Sequence, residues 1–217
     1  MTNSVHPKLN PRKTPDKSVI AHIRICVDAS LISRFLKLTE HGFKLQIKTD
    51  LTIRELLCQH LGISGDYVDN RIQTIFLDGK SVDDVDSAWV ENGSKLALSA
   101  AMPGLVGVTF RKGGFYASLR NTITYSKTEA SVVKGDGEII LKLFNMVAKE
   151  LGPAFLKNGI MVEGNIFQNF VLRNANDLKA ACALIYLNDK KVNIIKLVEM
   201  NWDNKQVFLQ VTSAEDS

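Results

Sequence analysis

The residues with the densest capacity for chemistry are Arg111, Lys112, Gly113 and Gly114, followed by Phe115, Tyr116 and Arg120. Paired glycines let backbone N–H groups close on an anion, and Arg111, Lys112 and Arg120 would add positive charge around it. The established phosphate loops need G-x-x-x-x-G-K-[ST] or G-x-G-x-x-G between a strand and a helix. Neither pattern is present, and the two glycines fall between runs with strand character, residues 105–112 and 115–125. A hairpin turn is therefore the simpler expectation for these residues, with an anion-binding loop as the alternative.

The remaining candidates carry less. Asp83, Asp84 and Asp86 could face a divalent cation, but the D-x-[DN]-x-[DN]-G calcium pattern is missing and a solvated loop explains them. His6, His22, His41 and His60 form no H-x-x-x-H pair, and no G-x-S-x-G elbow accompanies any serine. Cys26, Cys58 and Cys182 stand far apart with no C-x-x-C, as thiols do when they pack as small hydrophobes in a reducing compartment. The residues predict no catalytic set, no metal site and no cofactor. Trp89 and Trp202 read as buried anchors.

Composition sets the outer bounds. With 45% apolar and 23% charged residues, the 217-residue chain has the balance of a globular protein able to bury a core. The formal charge of +4 is small for this length, and part of it lies in residues 1–18, a proline-bearing basic tail expected to be disordered. That tail has no interleaved aromatic residues, which argues against nucleic acid as a partner. No apolar run is long enough to span a bilayer, and residues 1–18 lack the hydrophobic segment of a signal peptide, so the expected setting is the cytoplasm without a membrane partner.

Periodicity gives the elements that must position these groups. Residues 19–27 alternate as a half-buried strand, residues 31–38 carry a short helical stripe, and residues 43–48 alternate again. Thr52 to Glu55 has the form of a capping box, followed by a helix ending at Gly62. Residues 72–77 and 95–99 read as strands, with Asp78-Gly79 and Asn92-Gly93 as tight turns around a loop anchored by Val82, Val85 and Trp89. This order predicts a β-grasp over residues 19–103, one helix covering a mixed sheet whose first and last strands pair at the centre.

On IFLDGKSVDD and NGSKLALS the chain resembles the ubiquitin-like superfamily. The short helix before the second strand makes it more similar to the ThiS/MoaD sulfur-carrier branch. The resemblance covers residues 19–107 and implies a β-grasp fold. It would also imply sulfur transfer through a terminal Gly-Gly, but here the tail reads Ala101 to Gly107 without that pair, and 110 residues follow. A carboxylate inside a peptide bond cannot be activated. The sulfur-carrier activity would require proteolysis after Gly107 or Gly114.

Met102, Pro103, Gly104 and Gly107 read as a hinge between halves. Beyond it, residues 104–213 predict a second α+β domain, two helices against a mostly antiparallel sheet. One helix is expected over Asp136 to Leu151, capped by Asp136 and stopped at Gly152-Pro153. Residues 155–172 are expected to be extended, a second helix to follow Asn174 or Asn176, and strands over 192–200 and 206–212 to form a hairpin. No internal repeat and no family likeness is legible in this half.

Two functional classes follow. The first is a non-catalytic adaptor or scaffold that uses the β-grasp domain to engage another protein. The second is a small enzyme or anion- or nucleotide-binding protein with a pocket between the halves, lined by residues 102–107 and 111–114 with Arg120.

Overall fold

Branched apolar residues alternating with polar ones from Ile20 onward give β1 (Ile20–Val27), with Ala21, Ile23, Ile25 and Val27 buried. The computed structural model describes residues 20–120, 124–125, 135–180 and 184–214, so the basic tail and Cys182 lie outside the described residues. These divide into two compact units, one formed by Lys44–Leu151 and the other by residues 20–43 with residues 152–214. The protein is mixed α and β, and its strand pairs are mostly antiparallel.

The unit Lys44–Leu151 contains residues 44–48 of β2 (Phe43–Lys48), β4 (Thr74–Leu77), β5 (Lys80–Ser81), β7 (Lys95–Ser99) and β8 (Asp136–Phe144), ordered β2-β8-β7-β4-β5. β7 and β8 run parallel from Lys95↔Ile140 to Ser99↔Phe144, and β4 is antiparallel to both β7 and β5. Asp78 and Gly79, both at positive φ (50° and 79°), make the two-residue turn that right-twisted strands require. A smaller ladder joins β3 (Leu51–Thr52) to β6 (Trp89–Val90).

The capping box forms: Thr52 Oγ1 accepts from the Glu55 amide at 3.2 Å, and Glu55 Oε2 accepts from the Thr52 amide at 2.8 Å. It starts α2 (Ile53–Glu55), which widens into a π turn over Leu56–His60. Ile53, Leu56, Leu57, Val68, Ile75 and Leu98 are fully buried in this unit's core.

Two expectations fail here. Residues 136–144 are a strand, β8, because Gly137, Ile139, Leu141 and Leu143 alternate inward; the helix, α4 (Asn145–Asn158), begins only after them. Among the described residues, the expected hairpin of residues 105–112 with 115–125 does not form around Gly113-Gly114. Residues 104–109 form a short helix, α3 (Gly104–Thr109), and Phe115–Arg120 a 3₁₀ turn. The expected hinge residues Met102, Pro103, Gly104 and Gly107 consequently lie inside this unit, leading into and through α3.

The other unit holds β1, α1 (Ala29–His41), β9 (Ile160–Glu163), α5 (Gly164–Ala180), β10 (Leu184–Leu187), β11 (Lys190–Val192), α6 (Ile194–Glu199) and β12 (Gln206–Ser213). Its strand order is β9-β12-β1-β10-β11, with β1 and β12 parallel in an eight-residue register from Ile20↔Gln206 to Val27↔Ser213. Phe35 stacks on Phe170 at 4.8 Å, and the fully buried Trp202 lies edge-on to Phe167 at 5.0 Å while its Nε1 donates to the Leu197 carbonyl. The expected extended segment over 155–172 is instead the end of α4, β9 and the start of α5. Residues 194–199 are helical, so no hairpin forms with 206–212.

Both edges of β1 are taken, by β10 (Ile23↔Leu187) and by β12, so residues 95–99 pair with β8 instead. A β-grasp over 19–103 would have paired 19–27 with 95–99. The boundary between the units accordingly falls at residues 43/44 and 151/152 rather than near 103.

The order of elements recurs along the chain, but the sheets are not ordered alike: β7, the closing strand of the first copy, borders the β4-β5 hairpin, whereas β1, an opening strand, borders the β10-β11 hairpin. Strand, helix, positive-φ glycine, strand, helix, tight hairpin and closing strand occur twice in chain order. Gly42 (φ 109°) corresponds to Gly159 (92°), the Asp78-Gly79 turn to Asn188 and Asp189 (49° and 65°), and Gly93 (86°) to Asn204 (57°). Each unit's central parallel pair takes one strand from each copy.

Candidate functional site

Between Ala101 and Arg120 the chain lays a short helical excursion over β4 and β5 of the unit Lys44–Leu151. Gly107 permits it: a Cβ there would stand 1.9 Å from the Met102 carbonyl oxygen, so only glycine lets α3 turn this tightly onto the preceding strand exit. Gly113, at φ 60°, makes the second reversal, and the Gly114 amide donates to the Arg111 carbonyl at 3.0 Å.

Polar groups pin the inner side of the segment. The Lys112 amide donates to the Gln73 carbonyl at 2.7 Å, and Lys112 Nζ to the Val68 carbonyl at 2.8 Å. Burial pushes the Lys112 ammonium below its ordinary range, opposed by the nearby Asp69 carboxylate. Arg111 Nε donates to Gln73 Oε1 at 2.8 Å, and Phe110 packs on Phe76 at 5.2 Å.

Arg120, only 4% exposed, directs its guanidinium to Ser81 Oγ and Asp83 Oδ1, and more distantly to the Arg111 carbonyl at 3.4 Å; its Nε has no partner among the described residues. The Gly113 amide donates to the same Asp83 oxygen at 2.9 Å. Thus the structure does bring Gly113 and Arg120 around one anion, but that anion is Asp83. Arg111 and Lys112 point to Gln73 and Val68, and Gly114 only closes the turn.

The aspartates around residue 84 are spent in the same way. Asp84 accepts from the Asp86 amide at 2.9 Å, while Asp86 accepts from Arg54 Nε at 2.6 Å. Arg54 also makes a two-pronged contact with Asp69, at 2.9 and 3.3 Å. Those hydrogen bonds hold Arg54 above and Asp69 below their ordinary ranges, and burial pushes the adjacent Cys58 thiol up. A thiol kept protonated is a poor nucleophile. Among the described residues no cluster of His, Cys, Asp and Glu could hold a metal ion, and His60 simply faces the Gln46 carbonyl at 3.2 Å.

The outer side of the same excursion is apolar. Leu105 is 76% exposed, Val108 45%, Phe115 91% and Tyr116 38%, and the two aromatic rings meet edge-on at 5.2 Å. Leu105 and Val108 share one face of α3. In this unit only Met146 joins them as an exposed large hydrophobic among the described residues. Sequence reasoning missed this surface because Phe115 and Tyr116 were read as the start of a strand. The signal was the glycine pair just before them, which ends one helical turn and starts another.

Among the described residues no helix is long and apolar enough to cross a membrane. Compared with known proteins, the chain matches no family model, no curated protein and no solved structure.

Proposed function

We propose that this protein is a non-catalytic adaptor that docks another protein on the apolar surface of Leu105, Val108, Phe115 and Tyr116. The observation that carries the reading is the near-complete exposure of Phe115 on a segment whose inner side is pinned by hydrogen bonds. An exposed aromatic on a rigid base loses little conformational freedom on binding, and aromatic residues dominate binding hot spots. The sheet edges are weaker candidates, and that of β5 is already bridged at Ser81 by Thr124. β11 offers Lys190 and Lys191, and β5 is two residues long, and both short length and lysine blunt strand addition.

Support for a ubiquitin-like reading of the unit Lys44–Leu151 comes from its parallel central pair, its Asp78-Gly79 hairpin and the helix after β2. In that reading β8 takes the place expected for residues 19–27. The small-molecule alternative has less behind it, since Gly113 and Arg120 are already held by Asp83. The sulfur-carrier alternative needs cleavage at Gly107, which is buried inside α3, or at Gly114.

A photo-crosslinking residue placed at position 115 in the native host tests the adaptor reading against the same residue at Lys191. A discrete adduct from position 115 alone, lost when Leu105→Asp is added, is expected. Equal adducts from both positions, or none from 115, would overturn it.

A further inference from the structure

Arg111 sets the sign of what can lie on this surface. Its Nε meets the neutral amide oxygen of Gln73, and no carboxylate reaches its guanidinium among the described residues. The other arginines of the neighbourhood are answered: Arg120 by Asp83, and Arg54 by Asp69 and Asp86. The chain around the patch is also one-sided. From Ala101 to Arg120 stand the cations Arg111, Lys112 and Arg120, and no acid. An exposed guanidinium with unused N–H groups presents a planar fork that suits a carboxylate.

We infer that the occupant of the Leu105, Val108, Phe115 and Tyr116 surface is an acidic, apolar segment of a different protein. Its apolar side chains cover Phe115 and Tyr116, and one of its carboxylates pairs with Arg111. The inference rests on the docking reading above and adds the charge of the partner. A second copy of this chain does not fit, because a two-fold contact through the same patch sets the Arg111 region of one molecule against that of the other. A lipid surface fits less well: basic clusters that hold anionic membranes carry about four to eight cations, whereas here one exposed guanidinium adjoins the apolar side chains.

The test uses the full chain and two fluorescein-labelled peptides, one alternating Asp with Leu and Phe, the other with Lys in place of every Asp. Binding is read by anisotropy. The Asp peptide is expected to bind about tenfold or more tightly than the Lys peptide. Arg111→Ala should erase that preference, Arg111→Glu should invert it, and Phe115→Ala should weaken whichever peptide binds. Thermal unfolding of each variant confirms that the fold survives, as expected for side chains this exposed. If both peptides bind equally and both depend on Phe115, the docking surface stands and the acidic partner falls. If Phe115→Ala changes nothing, or neither peptide binds, the docking reading falls with it. Tighter, Phe115-dependent binding to phosphatidylserine-containing vesicles than to the Asp peptide overturns the protein partner. So does a Phe115-dependent dimer in sedimentation equilibrium.

Discussion

Asp83 occupies the position that an incoming anion would need, with its Oδ1 accepting both the Gly113 amide at 2.9 Å and the guanidinium of the buried Arg120. The loop that sequence alone offers as an anion site is therefore complete without a ligand. Breaking a buried ion pair from one side leaves the other charge uncompensated.

Asp83→Ala is accordingly expected to lower unfolding stability by about 3 kcal/mol. The vacated cradle should then accept a substitute. Inorganic phosphate is expected to raise the Tm of Asp83→Ala while leaving the wild-type Tm unchanged, a difference that differential scanning fluorimetry would read directly. Equal phosphate response in both proteins would show that Asp83 does not fill the site.

Gly107→Ala tests the base of the docking surface. The added Cβ meets the Met102 carbonyl oxygen at 1.9 Å, a backbone atom that cannot swing aside as a side chain could. A cost of about 1–3 kcal/mol is expected from the forced backbone shift. Amide exchange should quicken in residues 104–116 while the core strands β4 and β7 keep their protection.

Acid should act through Glu150. Its carboxylate receives Arg71 Nε at 3.0 and 2.9 Å and the Tyr67 hydroxyl at 2.7 Å, and the Arg71 hydrogen bond holds its carboxyl below the ordinary range. Burial, with Glu150 beside it, pushes the Tyr67 hydroxyl up. Because the folded value lies below the unfolded one, this carboxylate stabilises the fold above its unfolded value of about 4.3. That contribution is lost as pH falls through the folded value. Urea unfolding should show the wild type losing more stability than Glu150→Gln between about pH 6 and about pH 3.

The strand pairing predicts how the chain can be cut. A fragment of residues 1–103 contains β1 but neither β10 nor β12, and it contains β7 but not β8. It is expected to lack a cooperative unfolding transition. Dividing the chain between Tyr125 and Gly135 should give two fragments that are each unstable alone and regain cooperative unfolding when mixed. Cooperative folding of residues 1–103 by circular dichroism would contradict the observed pairing.

Much of the local structure was legible because single residues dictate it. The alternating strand over residues 20–27, the Thr52 and Glu55 box, the Asp78-Gly79 turn and the strand over residues 206–212 all formed where expected. Partner choice was not legible. Nothing in the residues 20–27 distinguishes the edge of β12 from that of β7, since both are short alternating strands. In β8, Ile140, Leu143 and Phe144 have helical spacing while Ile139, Leu141 and Leu143 have strand spacing. The parallel register with Lys95–Ser99 settles it for the strand. At the site, the cations and glycines were found, but the acceptors of Arg111, Lys112 and Gly113 lie 30 or more residues away in sequence, as Asp83 does from Gly113.

The division of the central strands between distant parts of the chain also carries a temporal consequence. During synthesis β1 and α1 emerge before the other described elements, yet the strand that lies parallel to β1 is the last of the described strands to be made. Until Gln206–Ser213 has left the ribosome, β1 exposes an apolar face and an unsatisfied backbone edge. Closing a contact of such sequence separation is slow and leaves the nascent chain open to misassociation. The unit holding β7 and β8 completes earlier, so the newborn protein acquires its two cores in succession, the one begun first being finished last.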